Sequence, residues 1–555
     1  MPVTLRYGRL VRSILFHNGV IHSRTDPFAQ AVLVADGQIA WLGGEDSLHA
    51  VLDGADEVVD LDGALVAPAF VDAHAHLLET GFALVGLDLG PTPSLVAALD
   101  ALSGAARDAR AAGALGPLLG HGWDETRWPE GRPPTRAEVD RATGGAPVHL
   151  ERYDGHGAVV STAFAEIAGC TNLPGWTADG WVTGAAHRRA RAAARHVNPA
   201  RRDELHRSAL AAAAAAGIVS VHEHAAASSP AAPAADLADL AALLAATAEP
   251  RSGLPGVLGY WSAPCETSDD ARALLDAVPG LAGIGADVDG SLGSRTAGLR
   301  HPYADAPTTG ELALTAEQVA NHVASVTRAG SRAVLHVTGD RALDETLVGL
   351  RVAAGVEGIA AVRAAGHRLE NLAMVDASAL ATIVLLGLAA GVQPALAARG
   401  AVPGGEHLRR LGPARAASVA PWADLAGAGV PLAVGSGSPA GPFDPWAAIR
   451  AAIEHEDPSQ RISARAAFRA HTRGGWRVAG LDATGAGEIR LGAPADLAVW
   501  RTGPLGVQAP DGRLAAWSTD PRAGTPLLPE LGAGLPAPQC VQTLRAGVVV
   551  HDRLG

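Results

Sequence analysis

The chain has 555 residues and a formal net charge of −13, and 48% of its residues are hydrophobic whereas 18% are charged. A chain of this length and composition can bury a large core, and we expect more than one folded unit. The acidic balance, with no arginine run interleaved with aromatic residues, excludes nucleic acid and an anionic membrane surface as partners.

All 44 basic residues are arginine, so the chain has no lysine to serve as a covalent nucleophile or, after carboxylation, as a metal-bridging ligand. The cysteines, Cys170, Cys265 and Cys540, lie far apart in no metal-like spacing, and their odd number does not indicate a disulfide framework. No signal-peptide pattern and no apolar stretch of bilayer length is present. These features together predict a cytoplasmic protein.

Residues 13–65 are typical of short strands joined by turns, with Asn18-Gly19 and Asp36-Gly37 as hairpin signals, and they predict an antiparallel sheet. Residues from about 90 to 200 are rich in Gly, Pro, Trp and charge, and they fit neither a strand nor a helix rhythm. We interpret them as an insertion.

From about residue 200 onward, apolar strand-like runs alternate with Ala-rich helical segments, which is the pattern of a βα barrel or an open α/β sheet. In one unit, Thr315 and Gln318 form a capping-box signature, Gly330 ends the helix, and a buried strand follows at 332–337. The segments that predict barrel strands are 71–76, 218–225, 256–261, 281–290, 332–337, 365–372, 389–396 and 431–439. Segments 490–500 and 543–552 return to strand character and are expected to complete the N-terminal sheet.

The first barrel strand carries the motif His74-Ala75-His76. Side chains at i and i+2 of a strand point to the same face, so the two imidazoles can reach one metal ion, and neutral imidazoles suit zinc or a similar metal. A pair of strand-end histidines without a metal is the alternative. The position at the carboxyl end of a strand, where barrel enzymes keep their active sites, favours the metal.

The chain resembles the amidohydrolase superfamily, in the YtcJ-like branch called amidohydrolase family 3, which includes N-substituted formamide deformylases. The resemblance covers nearly the whole chain. It depends on the segments GALVAPAFVDAHAHL, GHGWDETRW, PVHLERYDGHGAVVS, GIVSVHEH, VDGSLGSRTAGLRHPYAD, LHVTGDRALDETL, HRLEN, GVQPA, VGSGSPAGPFDPW and LGAPADLAVW. So many ordered matches are specific for a fold and much less so for an activity.

The resemblance implies that His74 and His76 on strand 1 and His336 on strand 5 are metal ligands. Two further positions depart from the family pattern. Asn371 stands where strand 6 of the family carries a histidine, and Gly437 stands where strand 8 carries the aspartate that transfers a proton. The absence of lysine also rules out a carboxylated lysine on strand 4.

A displaced carboxylate could replace the missing aspartate, and otherwise these acids are ordinary hydrogen-bonding groups. The candidates are Glu223, Asp287, Asp289 and Glu370. The insertion contributes a second cluster, which either selects substrate at the barrel mouth or braces the insertion onto the barrel. Its members are Trp123, Asp124, Glu125, Arg127, Arg152, Asp154 and His156, of which Trp123, Asp124, Arg152, Asp154 and His156 are the predicted substrate-binding residues. His367 is interpreted as a core histidine, although it shares a strand face with Asn371.

The predicted fold is therefore an α/β protein, a (β/α)₈ TIM-like barrel of the metal-dependent hydrolase type over residues 66–485. A small β-sandwich is built from residues 1–65 and 486–555. The predicted function is metal-dependent hydrolysis of a carbon–nitrogen bond of amide or formamide type in a small molecule, with a divalent metal, zinc, as cofactor. The alternative is a catalytically impaired relative that binds a small ligand. A homodimer is consistent with either function.

Overall fold

The computed structural model of the protein describes residues 13–114, 116–227, 233–508, 517–518, 525–532 and 534–554. The strands in this part of the chain are β1 (Ser13–His17), β2 (Val20–Ile21), β3 (Ala31–Ala35), β4 (Gln38–Gly43), β5 (Glu57–Asp60), β6 (Leu65–Pro68), β7 (Phe70–Ala75), β8 (Leu87–Asp88), β9 (Leu118–Trp123), β10 (Val148–Arg152), β11 (Gly157–Val160), β12 (Trp181–Thr183), β13 (Ile218–Ala226), β14 (Gly256–Ser262), β15 (Gly283–Asp287), β16 (Ala333–His336), β17 (Arg368–Glu370), β18 (Ala389–Val392), β19 (Leu432–Val434), β20 (Leu497–Arg501), β21 (Leu505–Gln508), β22 (Trp517–Ser518), β23 (Leu528–Pro529), β24 (Gln539–Arg545) and β25 (Val548–Asp552).

The helices of the same residues are α1 (Leu77–Val85), α2 (Leu95–Ala111), α3 (Arg136–Thr143), α4 (Thr162–Ala168), α5 (Gly184–Ala194), α6 (Pro199–Ala215), α7 (Pro233–Thr247), α8 (Ser268–Ala277), α9 (Ala316–Arg328), α10 (Asp340–Glu357), α11 (Ile359–Ala365), α12 (Ala377–Leu386), α13 (Pro394–Ala401), α14 (Glu406–Leu411), α15 (Pro413–Ala416), α16 (Trp422–Gly427), α17 (Pro445–Ile453), α18 (Ala464–Ala470) and α19 (Arg473–Val478).

Eight parallel strands form the central sheet in the order β7-β13-β14-β15-β16-β17-β18-β19, which confirms the predicted barrel strands. The first and last strands meet through a parallel bridge between Ala75 and Ser438. The amide of Gly437 donates to the carbonyl of His74, and the amide of His76 donates to the carbonyl of Ser438, both at 2.9 Å. These contacts close the sheet into a (β/α)₈ barrel, so the carboxyl ends of all eight strands surround one opening.

The unit around α9 shows how local sequence produces a barrel repeat. Thr315 and Gln318 make the predicted reciprocal capping box, which satisfies amide groups at the start of the helix. The buried face of α9 includes Val319 and Val323, which pack in one of the two large barrel cores. Gly330 has a φ of 77°, a left-handed conformation that favours glycine, and the chain then enters β16.

Two further sheets are built from both ends of the chain. One has the order β4-β3-β1-β5, and the other has the order β2-β6-β20-β24-β25. Ile14 and Val32 from the first sheet share a buried core with Val66, Leu497 and Leu544 from the second. Strands from the N- and C-terminal parts of the chain therefore pack face to face, as in a β-sandwich. A small third sheet, β22-β21-β23, accompanies them.

The sequence-based details of this region were partly wrong. Strands β1 and β5 pair in parallel, as do β2 and β6, so the N-terminal part is not entirely antiparallel. Asp36-Gly37 does join an antiparallel hairpin. Asn18 instead adopts a left-handed φ of 57° and directs the chain from one sheet into the other. The segment 543–552 joins this sheet but is not one continuous strand, because Ala546 and Gly547 form a turn between β24 and the edge strand β25.

The insertion has a regular fold that the sequence did not predict. Its sheet has the order β12-β11-β10-β9-β8, and its first three strands along the chain are parallel whereas β11 and β12 are antiparallel. Contacts of the insertion reach segments that follow β7, β15 and β18. These contacts are Arg195 with Glu79, Asp154 with Ser291 and Ser294, and Arg152 with Glu406. The insertion therefore lies against the carboxyl end of the barrel.

Candidate metal centre

Three buried histidines from three barrel strands meet at the barrel opening. His74 is the next-to-last residue of β7, His224 lies near the end of β13, and His336 ends β16. One ligand atom from each lies within 4.8 Å of the others. The rings of His74 and His224 are stacked with centroids 4.1 Å apart, and the His336 ring stands nearly perpendicular to both at 5.2 Å. This arrangement can surround a single cation.

Hydrogen bonds and an ion pair orient these rings and leave ring nitrogens available to a cation. His74 contacts Glu370 through Nδ1 at 2.9 Å, and His336 contacts Asp287 through Nδ1 at 2.8 Å. The Nε2 of His224 lies 3.3 Å from the carbonyl of Ala73. Among the described residues, Nδ1 of His224 and Nε2 of His336 are buried without a hydrogen-bond partner. Buried polar atoms normally have partners, so these nitrogens are suited to bind a metal ion.

The charges around the trio act differently on its three rings. Burial lowers the pKa of His74 and His224, so their rings are neutral and keep a lone pair. Burial also opposes a charge on His336, but the hydrogen bond and charge of Asp287 outweigh it and raise the pKa of His336. For Glu370, burial is outweighed by the adjacent Arg368, and the pKa of the carboxyl falls. Ionised carboxylates therefore stand behind two of the three imidazoles.

Arg368 is a fully buried supporting residue that the sequence analysis did not single out. Its guanidinium lies 2.6 Å from Glu370, donates to the carbonyl of Ala73 at 3.1 Å, and donates to the hydroxyl of Tyr260 at 3.1 Å. It also lies 3.0 Å from Nδ1 of His222. Arg368 thus fixes the carboxylate that orients His74. The signal was present in the segment HRLEN, two residues before Glu370.

His76 lies beside this trio. Its Nδ1 is 2.6 Å from the carbonyl of His224, and its ring centroid is 5.4 Å from that of His74. Burial, together with the neighbouring His74, lowers the pKa of His76 to about 3. The geometric trio includes His224 instead, a residue absent from the predicted ligand set. The segment 222–224, His-Glu-His, repeats the His-x-His pattern on the next barrel strand and was the available signal.

Both positions that depart from the family pattern lie at strand ends with left-handed backbone. Asn371 directly follows β17 with a φ of 58°, and Gly437 follows β19 with a φ of 66°. A Cβ atom on Gly437 would lie 2.7 Å from Cδ1 of Leu396 and 3.4 Å from Cγ of Gln393. The space next to Gly437 is therefore filled by Leu396.

Three other predicted candidates have structural roles. The carboxylate of Glu223 accepts the amide of Leu77 at the start of α1, at 2.5 Å. Asp289 accepts three backbone amides at 2.8 to 2.9 Å and ties loops together, and burial raises its pKa to about 7. His367 accepts the amide of Ala333 at 2.9 Å, in agreement with the core interpretation. Asp287 and Glu370 are the two candidate acids that contact the histidines.

The predicted substrate-binding residues of the insertion divide into an internal group and one exposed side chain. Trp123 is fully buried and donates to the carbonyl of Leu150. Arg152, 1% exposed, pairs with Asp124, Glu125, Asp154 and Glu406 at 2.8 to 3.4 Å. These contacts match the bracing interpretation. The side chain of His156 is exposed.

Comparison with known proteins identifies the family. The amidohydrolase family model matches residues 57–551. The chain belongs to the amidohydrolase family. It is 25% identical to "Protein LONG AFTER FAR-RED 3" of Arabidopsis thaliana over 359 residues, 61% of each chain. It is 30% identical to "Putative amidohydrolase YtcJ" of Bacillus subtilis over 165 residues, 29% of this chain and 30% of the relative. These matches place the protein in the YtcJ-like branch, amidohydrolase family 3.

A third relative, "N-substituted formamide deformylase" of Arthrobacter pascens, is 32% identical over 141 residues, 25% of this chain and 26% of that protein. The matched segments thus span less than two thirds of these relatives. An uncharacterised metal-dependent hydrolase from Pyrococcus furiosus has 25% identity, a TM-score of 0.66, and coverage of 88% of this chain and 98% of its own. A similar structure from Pyrococcus horikoshii has 24% identity, a TM-score of 0.67, and coverage of 88% and 97%.

Family and structural likeness support a hydrolase that uses a divalent metal, and the histidine trio fits such an ion. Within the described ranges, the helices are all too short or too polar to cross a bilayer.

Proposed function

We propose that the protein is a metal-dependent hydrolase that cleaves a carbon–nitrogen bond in a small amide or formamide. The observation that carries the proposal is the trio His74, His224 and His336, buried at the carboxyl end of the barrel with ring nitrogens free for a metal. Barrel enzymes keep their chemistry at this end. The similarity to N-substituted formamide deformylase over a quarter of the chain supports the type of bond.

Three imidazoles are a donor set that suits zinc, which is the metal we propose. When bound, such a metal polarises a carbonyl oxygen and lowers the pKa of water. Glu370 and Asp287 hold the rings of His74 and His336 through their Nδ1 atoms. Carboxylate partners of this kind fix the tautomer of the imidazole and make it a stronger metal ligand. His76 is the adjacent alternative ligand.

Asp287 is the proposed proton acceptor in place of the family aspartate. Its side chain is 58% exposed, whereas that of Glu370 is fully enclosed by His74 and Arg368. Burial opposes its ionisation, but the hydrogen bond and charge of His336 lower the pKa of Asp287 to about 2. Asp287 is therefore ionised and accessible at the opening, and it can take a proton from water and pass it to a leaving amine.

The substrate contact that we propose on the insertion is His156, because it is exposed near Asp287. The other predicted substrate-binding residues would not contact the substrate but would hold the insertion in place. These residues are Trp123, Asp124, Arg152 and Asp154. The partner is thus a small molecule that enters between the insertion and the barrel. A homodimer and a cytoplasmic location stay predictions.

The test uses the full chain loaded in turn with Zn²⁺, Mn²⁺ and Co²⁺, and follows amine release from a panel of N-substituted formamides and N-acyl amines. With the metal supplied in excess so that the site stays loaded, we expect Asp287→Asn to lower kcat by about 10²–10⁴-fold. Asp276→Asn, an exposed acid on α8, is the matched control and should be fully active. Full activity of Asp287→Asn would exclude this residue as the proton acceptor.

A second candidate function is ligand binding without catalysis. This function is favoured by Asn371 and Gly437, which replace the histidine and the aspartate of the family pattern. It is also favoured by Leu396, whose side chain fills the space beside Gly437. In that case the folded, metal-loaded protein would bind members of the panel, as calorimetry would detect, and release no amine. Amine release that depends on the metal would exclude this alternative.

A further inference from the structure

A second cluster of metal-ligating side chains lies in the insertion, outside the barrel. His149 and Glu151 are two residues apart on β10 and therefore share one face of the strand. His187 lies near the start of α5, and its Nε2 atom contacts Oε1 of Glu151 at 2.9 Å. All three side chains are buried, and one ligand atom from each lies within 4.8 Å of the others.

Part of this cluster has no partner within the protein. Over the described ranges, both ring nitrogens of His149 and the Oε2 atom of Glu151 are buried without a hydrogen bond. The Nε2 atom of His149 is 3.5 Å from Oε2 of Glu151, whereas Nε2 of His187 contacts Oε1 at 2.9 Å. A buried imidazole with neither nitrogen satisfied is unfavourable unless another group fills the site.

On β10, burial and neighbouring charges shift the pKa values of His149 and Glu151. Burial lowers the pKa of His149 to about 3, so the ring is neutral and has a free lone pair. Burial opposes a charge on Glu151, but His187, His149 and Arg195 outweigh it and hold the pKa of the carboxyl below its usual range.

Arg195 is a nearby cation that could neutralise Glu151 without a metal. Its guanidinium lies 3.5 Å from Oε2 of Glu151. The same guanidinium donates to Glu79 at 2.5 Å, and Glu79 also pairs with Arg191 at 3.1 Å. Arg195 is therefore committed mainly to Glu79, and the Oε2 atom of Glu151 remains directed at His149.

We propose that His149, Glu151 and His187 form a second divalent-metal site, separate from the barrel centre, that takes zinc. Two histidines and one carboxylate are a known donor set for zinc, with ligand distances of about 2.0 to 2.2 Å. The ion links β10 to α5. Because Arg191 and Arg195 at the end of α5 hold Glu79 on α1, this link stabilises the position of the insertion over the barrel.

The experiment separates the two sites by removing the barrel ligands first. The full chain with His74→Gln and His336→Gln is freed of metal with a chelator and titrated with Co²⁺. We expect the protein to take up about one equivalent of Co²⁺ and to show the visible absorption of four-coordinate Co²⁺. We also expect Zn²⁺ to raise its Tm. Adding His149→Gln or, separately, His187→Gln should abolish all three signals. His206→Gln, a half-buried histidine on α6, is the matched control and should retain them.

The proposal does not depend on hydrolase activity. It is overturned if the barrel-depleted protein keeps native circular dichroism yet takes up no Co²⁺, since Arg195 then suffices to balance Glu151. It is also overturned if the barrel-depleted protein still binds one equivalent of Co²⁺ after His149→Gln and after His187→Gln. If His149→Gln does not fold, His187→Gln decides the result, together with the count of metal ions on the barrel-depleted chain, where one is expected and none contradicts the proposal.

Discussion

Replacing Arg152 by methionine should destabilise the protein rather than weaken substrate binding. Arg152 is 1% exposed and contacts four carboxylates at 2.8 to 3.4 Å. Removal of one member of a buried ion pair typically costs about 3–5 kcal/mol, because the partner charge stays buried. Arg152→Met is therefore expected to lower the free energy of unfolding by about this amount.

The structure also indicates which carboxylate is most affected. Glu125 would keep Arg410, Asp124 would keep Arg399, and Asp154 would keep the hydroxyls of two serines. Among the residues that the structure describes, Glu406 would keep only the Tyr153 hydroxyl, which donates to its carboxylate at 2.7 Å. Burial already raises the pKa of Glu406, and Arg152 opposes that rise. Without Arg152, this pKa rises further, and protonation relieves the buried charge.

The pH dependence follows from that shift. A carboxyl whose pKa is higher in the folded than in the unfolded protein favours folding at low pH, and this advantage is lost as the pH rises through the folded-state pKa. The destabilisation by Arg152→Met should thus be smaller at about pH 5 than at about pH 8.

Denaturant unfolding followed by tryptophan fluorescence, with Trp123 in the insertion core, measures the effect. Arg127→Met, at an exposed position, is the control and should change the free energy of unfolding by less than about 0.5 kcal/mol. The reasoning is refuted if Arg152→Met is as stable as the parent and only ligand affinity changes.

Two further results are expected. Glu370→Gln should weaken metal binding at the barrel centre by about 10–100-fold in a chelator competition, because His74 loses its carboxylate partner; unchanged affinity would contradict this. Gly437→Asp should lower the free energy of unfolding by about 1–3 kcal/mol, since the residue has a φ of 66° and its Cβ would meet Leu396 at 2.7 Å. Leu396→Ala should reduce the effect of Gly437→Asp in a double-mutant cycle, and strict additivity would argue against the contact.

The barrel was predictable because each of its strands is a short apolar run between turn signals, and parallel strands buried on both faces produce such runs. The helix α9 followed from its cap and its valine spacing in the same way. The insertion was not predictable by periodicity, because its sheet mixes parallel and antiparallel pairs. Asn18-Gly19 has the composition of a hairpin turn, but β1 and β2 do not pair with each other. Each pairs with strands from other segments, in two different sheets, and the residues of the turn do not show this.

The site was predictable only where the ligands share a strand. His74 and His76 were evident from their spacing, but the choice between His76 and His224 depends on ring orientation, which the hydrogen bonds to Glu370 and Ala73 set. The pairing of Arg152 with Glu406 joins residues 254 positions apart. No local pattern contains such a contact, and for this reason the same side chains were equally compatible with substrate binding.

The most direct test of the central claim is an anomalous difference map, at the zinc absorption edge, from crystals of the protein grown with Zn²⁺. We predict a peak about 2.0 to 2.1 Å from ring nitrogens of His74, His224 and His336. Crystals of His336→Gln should lack this peak. Absence of zinc at this position in the parent protein, or a peak that His76 ligates instead of His224, would contradict the account.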